Sequence, residues 1–180
     1  MKLNIFSIPI YIGNINLNKI KITNKGFKKN WHSKTESSFT FQNILDEESA
    51  QYLLHTVENL IGNEITKPHR LILQNVWENR YEEGDFQEKH SHAQSHFSFV
   101  IYKEIDEAKT VFFNPSEKLM QSYYGEEFIN TNNFFKEIFK PQCRKGQIII
   151  FPSFLEHMVL RNNNSVTYAG NIMIEMLKEK

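Results

Sequence analysis

From residue 70 onward the chain consists of short runs rich in β-branched and aromatic residues, and this pattern limits the possible folds more than any other feature. Such residues are enriched in strands, whereas glycine, proline, asparagine and aspartate interrupt them. The runs are LILQNVWENRY, HFSFVIY, TVFFN, GQIIIFP, HMVL and VTYAGNIMIEM. The pattern predicts a mainly β fold, either a β-sandwich or a distorted barrel.

One amphipathic helix is predicted before the β region. From Asp46 to Ile61 apolar residues recur at intervals of three and four, which is the spacing of a single buried helix face. Asp46 is a suitable N-cap and Gly62 a suitable stop. His55 lies off the apolar face, so it is excluded from any functional site. The helix is expected to support the β region from one side.

The length of the chain favours one domain. A fold of about 150 residues already buries close to 70% of the surface that its unfolded chain exposes, and this chain has 180 residues. We expect a single domain, 1–180, with an N-terminal strand and the supporting helix in 1–70 and the β core in 71–180. Residues 116–140 break the β pattern with polar and aromatic residues, which indicates an insertion or lid.

Charge and cysteine content narrow the function classes and the compartment. Lysine and arginine number 21, as do aspartate and glutamate, so the formal charge is zero and no general attraction to nucleic acid or an anionic membrane is expected. No uncharged apolar run approaches the roughly 18 residues that span a bilayer. Cys143 is the only cysteine. An intramolecular disulfide is therefore impossible, and a cytoplasmic location is expected.

Three histidines are the candidate functional residues. His90 and His92 lie two positions apart, and on a strand such side chains share one face. This pair alone is more often a polar strand edge than a ligand pair. His157 follows the apolar run 148–151 and a turn at Pro152, where it could also be a buried histidine bonded to a backbone carbonyl. Together the three would bind one metal ion and leave coordination positions open for chemistry.

The residues around the first two histidines resemble a known family. YEEGDFQEKHSH, residues 81–92, is similar to the pattern of prolyl-hydroxylase-type Fe(II)/2-oxoglutarate dioxygenases, with Tyr81, Gly84 and His90 at matching positions. The chain resembles more closely the Fe(II)/2-oxoglutarate oxygenases of phages and marine bacteria. This resemblance lies in the order of five runs, namely YEEGDFQEKHSH, SHFSFVIY, FFNP, GQIIIFPSFLEH and AGN. The resemblance covers almost the whole chain.

The resemblance implies a double-stranded β-helix, a jelly roll of the cupin type, that binds Fe(II) and the cosubstrate 2-oxoglutarate. The implied ligands are His90, His92 and His157, and the implied activity is hydroxylation of an unidentified substrate. His92 stands where the family usually has a carboxylate, so the site would keep the +2 charge of the ion instead of +1. Asp85 and Glu88 are alternative third ligands.

The chain departs from the family a second time at the cosubstrate. The family usually binds the distal carboxylate of 2-oxoglutarate with an arginine on the last strand, because a guanidinium matches a carboxylate with two parallel hydrogen bonds. Ser165 occupies that position. The candidate cosubstrate residues are Tyr81, Tyr102, Arg161, Ser165 and Asn171, with Lys103 and Arg144 as further cations that can equally be surface charges.

Two other functions fit the same residues. Three histidines with an open position also suit a Zn(II) hydrolase, in which the metal lowers the pKa of bound water. The missing arginine fits a cupin-like module that binds a small molecule without catalysis. His96 is expected at the rim of the site or behind the ligands. The substrate and the oligomeric state are not predicted.

Overall fold

In this computed structural model the described residues are 7–23, 28–30, 35–37, 44–125, 127, 136–161 and 164–178. The helices are α1 (Glu47–Ile61) and α2 (Glu117–Tyr124), with short 3-10 turns at Leu17–Lys19 and Gly62–Glu64. The strands are β1 (Tyr11–Asn14), β2 (Lys28–Asn30), β3 (Thr35–Ser37), β4 (His69–Tyr81), β5 (Gln87–His90), β6 (Phe97–Glu104), β7 (Thr110–Phe113), β8 (Ile138–Phe139), β9 (Gln147–Pro152), β10 (His157–Val159) and β11 (Ser165–Met176).

The strands form two antiparallel sheets. The major sheet has seven strands in the order β1-β9-β6-β11-β4-β3-β2, and the minor sheet has four in the order β5-β10-β7-β8. All six runs predicted from the sequence lie in strands, namely β4, β6, β7, β9, β10 and β11. The predicted mainly β class is therefore confirmed.

Helix α1 covers one face of the major sheet. The Asp46 carboxylate accepts a hydrogen bond from the backbone N–H of Ser49 at 2.8 Å, and Gly62 caps the other end, so both predicted boundaries are confirmed. Such an N-cap satisfies a backbone donor that has no partner within the helix. The core between helix and sheet contains Leu53, Val57, Ile61, Val76, Phe99, Ile101, Ile148, Ile150, Tyr168 and Ile172.

The other face of the major sheet meets the minor sheet, and a cavity lies between them. Along β6, Phe99 and Ile101 belong to the core beside α1, whereas Val100 and Tyr102 pack in the second core cluster on the side of the cavity that they line with Ser98. Both sheets contribute to the cavity wall, which includes residues of β4, β6 and β11 on one side and of β5, β7 and β10 on the other. Any ligand there would be held by strands instead of loops alone.

The predicted insertion contains some regular structure. Residues 116–140 include α2 and the short strand β8, which pairs with β7, while 126 and 128–135 lie outside the described residues. The predicted N-terminal strand corresponds to β1, which pairs with β9, and residues 1–6 also lie outside the description. Neither α1 nor α2 is long and apolar enough to cross a membrane.

A glycine in β11 is required by close packing. A Cβ atom at Gly170 would lie 2.4 Å from the Phe99 ring and 2.5 Å from the backbone oxygen of Asn75. We expect Gly170→Ala to lower the free energy of unfolding by about 1–3 kcal/mol, because the backbone must shift to relieve the overlap. Gly13→Ala is the matched control, since the nearest atoms to its Cβ would be those of the flexible Leu60 side chain and not backbone. Equal urea midpoints for the two variants would contradict the prediction.

Candidate metal centre

Two of the three histidines face each other across neighbouring strands of the minor sheet. His90 is the last residue of β5 and His157 the first residue of β10, and the register pairs them directly. Their ring centroids are 4.2 Å apart. His157 is buried, with 4% of its surface exposed, and its ring also contacts Phe112 and Phe151.

His92 reaches the same place by a different route from the one predicted. It lies beyond the end of β5, so it does not share a strand face with His90. The backbone N–H of His92 donates to the Ser153 carbonyl at 2.9 Å, which ties the segment to the end of β9. The His92 ring lies parallel to that of His157 at 5.2 Å and stacks on Trp77 at 5.7 Å.

The three imidazoles form a cluster with the dimensions of a metal site. One ligand nitrogen from each of His90, His92 and His157 lies within 4.8 Å of the other two. The Nδ1 atoms of His90 and His157 bond the carbonyls of Glu88 at 2.7 Å and Leu155 at 3.0 Å. A carbonyl can only accept, so each Nδ1 carries the proton and each Nε2 keeps its lone pair for a metal.

Burial keeps these imidazoles neutral. It lowers the pKa of His157 to about 3 and that of His92 to about 4, and in both cases the repulsion between neighbouring histidines lowers the pKa further. Burial also lowers the pKa of His90. Neutral imidazole is the form that coordinates metal ions, so the three nitrogens are available near neutral pH.

The alternative carboxylate ligands lie elsewhere. Asp85 accepts a hydrogen bond from the backbone N–H of Glu82 at 2.8 Å, within a turn, and Glu88 is exposed. Glu156 pairs with Lys89 at 2.8 Å. Neither Asp85 nor Glu88 belongs to the histidine cluster. Within the described part of the chain, the donor set is three neutral nitrogens, which suits Fe(II) and also Zn(II), Ni(II) or Cu(II).

A buried polar network lies behind His92. The side chain of Asn171 hydrogen-bonds His92, accepts from the Ser98 hydroxyl at 2.9 Å and donates to Asn75 at 2.9 Å. Ser98 also contacts the hydroxyl of Ser153 at 2.8 Å. Partners behind a metal ligand orient its ring and are often needed for full metal affinity. Asn171 therefore lies beside the ligand His92 and does not line the cavity.

The predicted cosubstrate residues divide into two groups. Tyr81, Tyr102 and Ser165 line the cavity together with the three histidines. Arg161 and Arg144 are exposed and do not line it. Lys103 extends over the ring of Tyr168, which packs toward α1. None of the cations considered from the sequence therefore lines the cavity.

His96 stabilises the major sheet. The Nδ1 atom of His96 accepts a hydrogen bond from the backbone N–H of Ile174 at 2.8 Å, and the backbone N–H of His96 donates to the Ile172 carbonyl at 3.0 Å. These bonds lie beside the register shift of β11 between Asn171 and Ile172. The side chain is exposed and outside the cavity wall.

Several cavity residues have no signal in the sequence. They are Trp77, Asn79, Lys109, Thr110 and Thr167. The empty space between the two sheets, with the open mouth included, is about 530 Å³. Whether these five residues line the cavity depends on strand register, because each lies on the cavity-facing side of a strand or directly before a strand.

Comparisons with known proteins identify the family and the fold. Residues 75–168, just over half of the chain, match the family described as "Putative 2OG-Fe(II) oxygenase". No curated protein sequence matches the chain. A structure of a 2OG-Fe(II) oxygenase-family oxidoreductase from Burkholderia pseudomallei aligns with a TM-score of 0.54 at 14% identity, covering 82% of this chain and 72% of that chain. This match shows the fold and confirms the double-stranded β-helix.

Two further structures align over similar lengths. HygX from Streptomyces hygroscopicus, with nickel, 2-oxoglutarate and hygromycin B bound, has a TM-score of 0.49 and 14% identity over 87% of this chain and 74% of that one. A prolyl-4-hydroxylase from Pseudomonas putida has a TM-score of 0.47 and 13% identity over 82% and 77%.

Proposed function

The chain belongs to the 2OG-Fe(II) oxygenase family, and we propose that His90, His92 and His157 bind its Fe(II) and that 2-oxoglutarate binds in the adjoining cavity. The observation that carries this proposal is the convergence of three neutral imidazole nitrogens within 4.8 Å at the wall of that cavity. Membership of the family makes the protein an Fe(II)- and 2-oxoglutarate-dependent oxygenase. It also favours Fe(II) over the other ions that such a donor set accepts.

The histidines and their neighbours hold the donors in fixed orientations. Carbonyl oxygens fix the rings of His90 and His157, while Trp77 stacks on His92. Bound Fe(II) supplies the redox chemistry in which dioxygen oxidises 2-oxoglutarate to succinate and carbon dioxide and places its second oxygen atom on the substrate. Because all three ligands are neutral, the site keeps the full charge of the ion and attracts an anionic cosubstrate.

Hydroxyl groups in the cavity are suited to the carboxylates of 2-oxoglutarate. Burial raises the pKa of Tyr81 and Tyr102, so both phenols keep their protons near neutral pH and remain able to donate hydrogen bonds. Tyr102 donates to Thr110 at 3.1 Å and Tyr81 to Gln87 at 3.2 Å. Ser165 lines the same cavity, and each phenol would donate to a carboxylate by turning its single proton away from its present acceptor.

We further propose that the reaction is the hydroxylation of a small molecule or an exposed side chain. The mouth of the cavity gives access from solvent, and the zero formal charge provides no general attraction to nucleic acid. Cys143 is buried and unpaired. A lone thiol is compatible with a reducing compartment, and we propose the cytoplasm.

Anaerobic titration tests the proposed function. Adding Fe(II) and then 2-oxoglutarate to the metal-free protein should produce a weak visible charge-transfer band that neither component produces alone. Admission of air should then release succinate in proportion to the 2-oxoglutarate consumed. A folded protein that binds Fe(II) but shows neither the band nor succinate would contradict the proposal.

A further inference from the structure

One cation lies in the cavity wall beside the proposed metal site. Lys109 directly precedes β7, which pairs with β10 next to His157, and it is the one lysine or arginine that lines the cavity within the described part of the chain. Its side chain is 22% exposed, so its charge is partly shielded from water. Glu107 also lines the cavity and pairs with Lys109, so a carboxylate inside the cavity would compete with Glu107 for this cation.

Two polar atoms in the same wall have no partner. Among the described side chains, the Oδ1 atom of Asn79 and the Oγ atom of Ser165 are buried without a hydrogen bond. Both residues are 3% exposed and both line the cavity. Buried polar atoms are nearly always bonded, because an unsatisfied one destabilises the fold. Two such atoms in one cavity indicate a polar ligand that the fold is built to receive.

The two unpartnered side chains lie close together on the major sheet. In the register of β11 with β4, Ser165 is opposite Tyr81 and Thr167 is opposite Asn79, so all four positions face the cavity on adjacent strands. A serine hydroxyl can donate to a carboxylate, whereas the unpartnered Oδ1 atom of Asn79 is an acceptor and would take a hydrogen bond from a donor group. The sheet thus provides a neutral donor in the Ser165 hydroxyl, and Lys109 provides the charge.

Lys109 is held by an exchangeable partner. Its ammonium lies 2.6 Å from the carboxylate of Glu107, which also pairs with Lys140. The side chain of Glu107 is 59% exposed. Exposed ion pairs contribute little stability because water screens them. A ligand carboxylate in the drier cavity would compete well for Lys109, and Glu107 would keep Lys140 as its partner.

We propose that Lys109, together with Ser165, binds the carboxylate of 2-oxoglutarate that is remote from the metal, and that Glu107 occupies Lys109 until the cosubstrate arrives. This inference rests on the proposed function. It assigns the distal carboxylate to a lysine on the minor sheet, in place of the arginine that is absent from position 165. It also makes Glu107 an internal competitor of the cosubstrate.

A comparison of two 2-oxo acids tests the assignment. The wild type and its variants, loaded with Fe(II) under anaerobic conditions, are titrated calorimetrically with 2-oxoglutarate and with 2-oxopentanoate, in which a methyl group replaces the distal carboxylate. Lys109→Met should weaken 2-oxoglutarate binding about 10- to 100-fold, the loss of a charge-assisted hydrogen bond. Binding of 2-oxopentanoate should not change.

Two further variants complete the design. Lys103→Met is the matched control, because Lys103 is a β6 lysine that lies over Tyr168, away from the cavity, and it should bind both acids as the wild type does. Glu107→Gln should bind 2-oxoglutarate more tightly, by about two- to fivefold, because the removed pair is exposed and weak. Circular dichroism checks that every variant is folded.

The outcomes separate this inference from the proposed function. A wild type that binds neither acid contradicts the proposed function itself. If the wild type binds 2-oxoglutarate and Lys109→Met binds it equally well, the assignment of Lys109 is wrong. Equal loss of both acids in Lys109→Met would also overturn it, because the lysine would then support the site in general and not the distal carboxylate.

Discussion

Replacing His157 with alanine is expected to lower Fe(II) affinity by at least about 100-fold. The reason is that removing even a residue that only supports a metal ligand lowers metal affinity roughly 10- to 100-fold. His157 is the most buried of the three histidines and lies between His90 and two aromatic rings. Among the residues that the structure describes, no carboxylate belongs to the histidine cluster and could replace it. Anaerobic calorimetry with Fe(II), and with Ni(II) as an air-stable substitute, measures the loss.

His55→Ala is the control for this substitution. His55 is an exposed histidine of α1 that hydrogen-bonds Asn59, so its removal should leave metal binding unchanged. A metal that binds only the folded state stabilises it by about 2.7 kcal/mol at 100 times its dissociation constant. Ni(II) should therefore raise the melting temperature of the wild type and of His55→Ala, but not that of His157→Ala. A His157→Ala variant that retains the metal-dependent shift would show that the three histidines do not form the site.

The metal-free protein is expected to lose stability as the pH falls below about 6.5. The pKa of His157 is lowered from 6.5 to about 3 and that of His92 to about 4, chiefly by burial. Between these values and 6.5 the unfolded chain binds protons that the folded protein does not, so stability rises with pH in this window. From pH 7.5 to 5.5, each such histidine should cost about 1.4 kcal/mol of unfolding free energy.

Urea unfolding of the metal-free wild type and of His157→Ala at pH 7.5 and 5.5 measures this effect. Carboxylates titrate similarly in both proteins, so the difference between their pH dependences isolates His157. The variant should lose about 1.4 kcal/mol less than the wild type over this interval. Identical pH dependences would mean that the His157 imidazole gains a proton as readily in the folded protein as in the unfolded chain.

Much of the fold could be predicted because it depends on local patterns. The spacing of apolar residues determined α1, since an amphipathic helix buries every third or fourth residue, and the capping residues Asp46 and Gly62 determined its ends. The β-branched runs determined six strands for a similar reason. The insertion was recognised as a break in this pattern, but a break contains no information on the helix α2 within it.

The histidines illustrate a correct grouping reached with an incorrect local geometry. His90 and His92 were expected to share a strand face, yet β5 ends at His90. His92 instead meets His157 because its backbone bonds Ser153 and its ring lies against Trp77. These contacts join residues distant in sequence, so alternation along one strand could not predict them.

What the sequence by itself determined is the element pattern, the family resemblance and the three histidines, because these depend on residue types at short or characteristic spacings. Only the tertiary structure decided which charge faces the cavity. In the sequence, nothing distinguishes Lys109 from an ordinary surface lysine. Arg161 follows the candidate ligand His157 and was therefore a candidate for binding the cosubstrate. Lys109 belongs to the cavity wall because it directly precedes β7, whose pairing with β10 forms part of that wall, and the exposed segment after β10 leaves Arg161 in solvent. Strand pairing over long sequence separations sets those directions, and no local pattern encodes it.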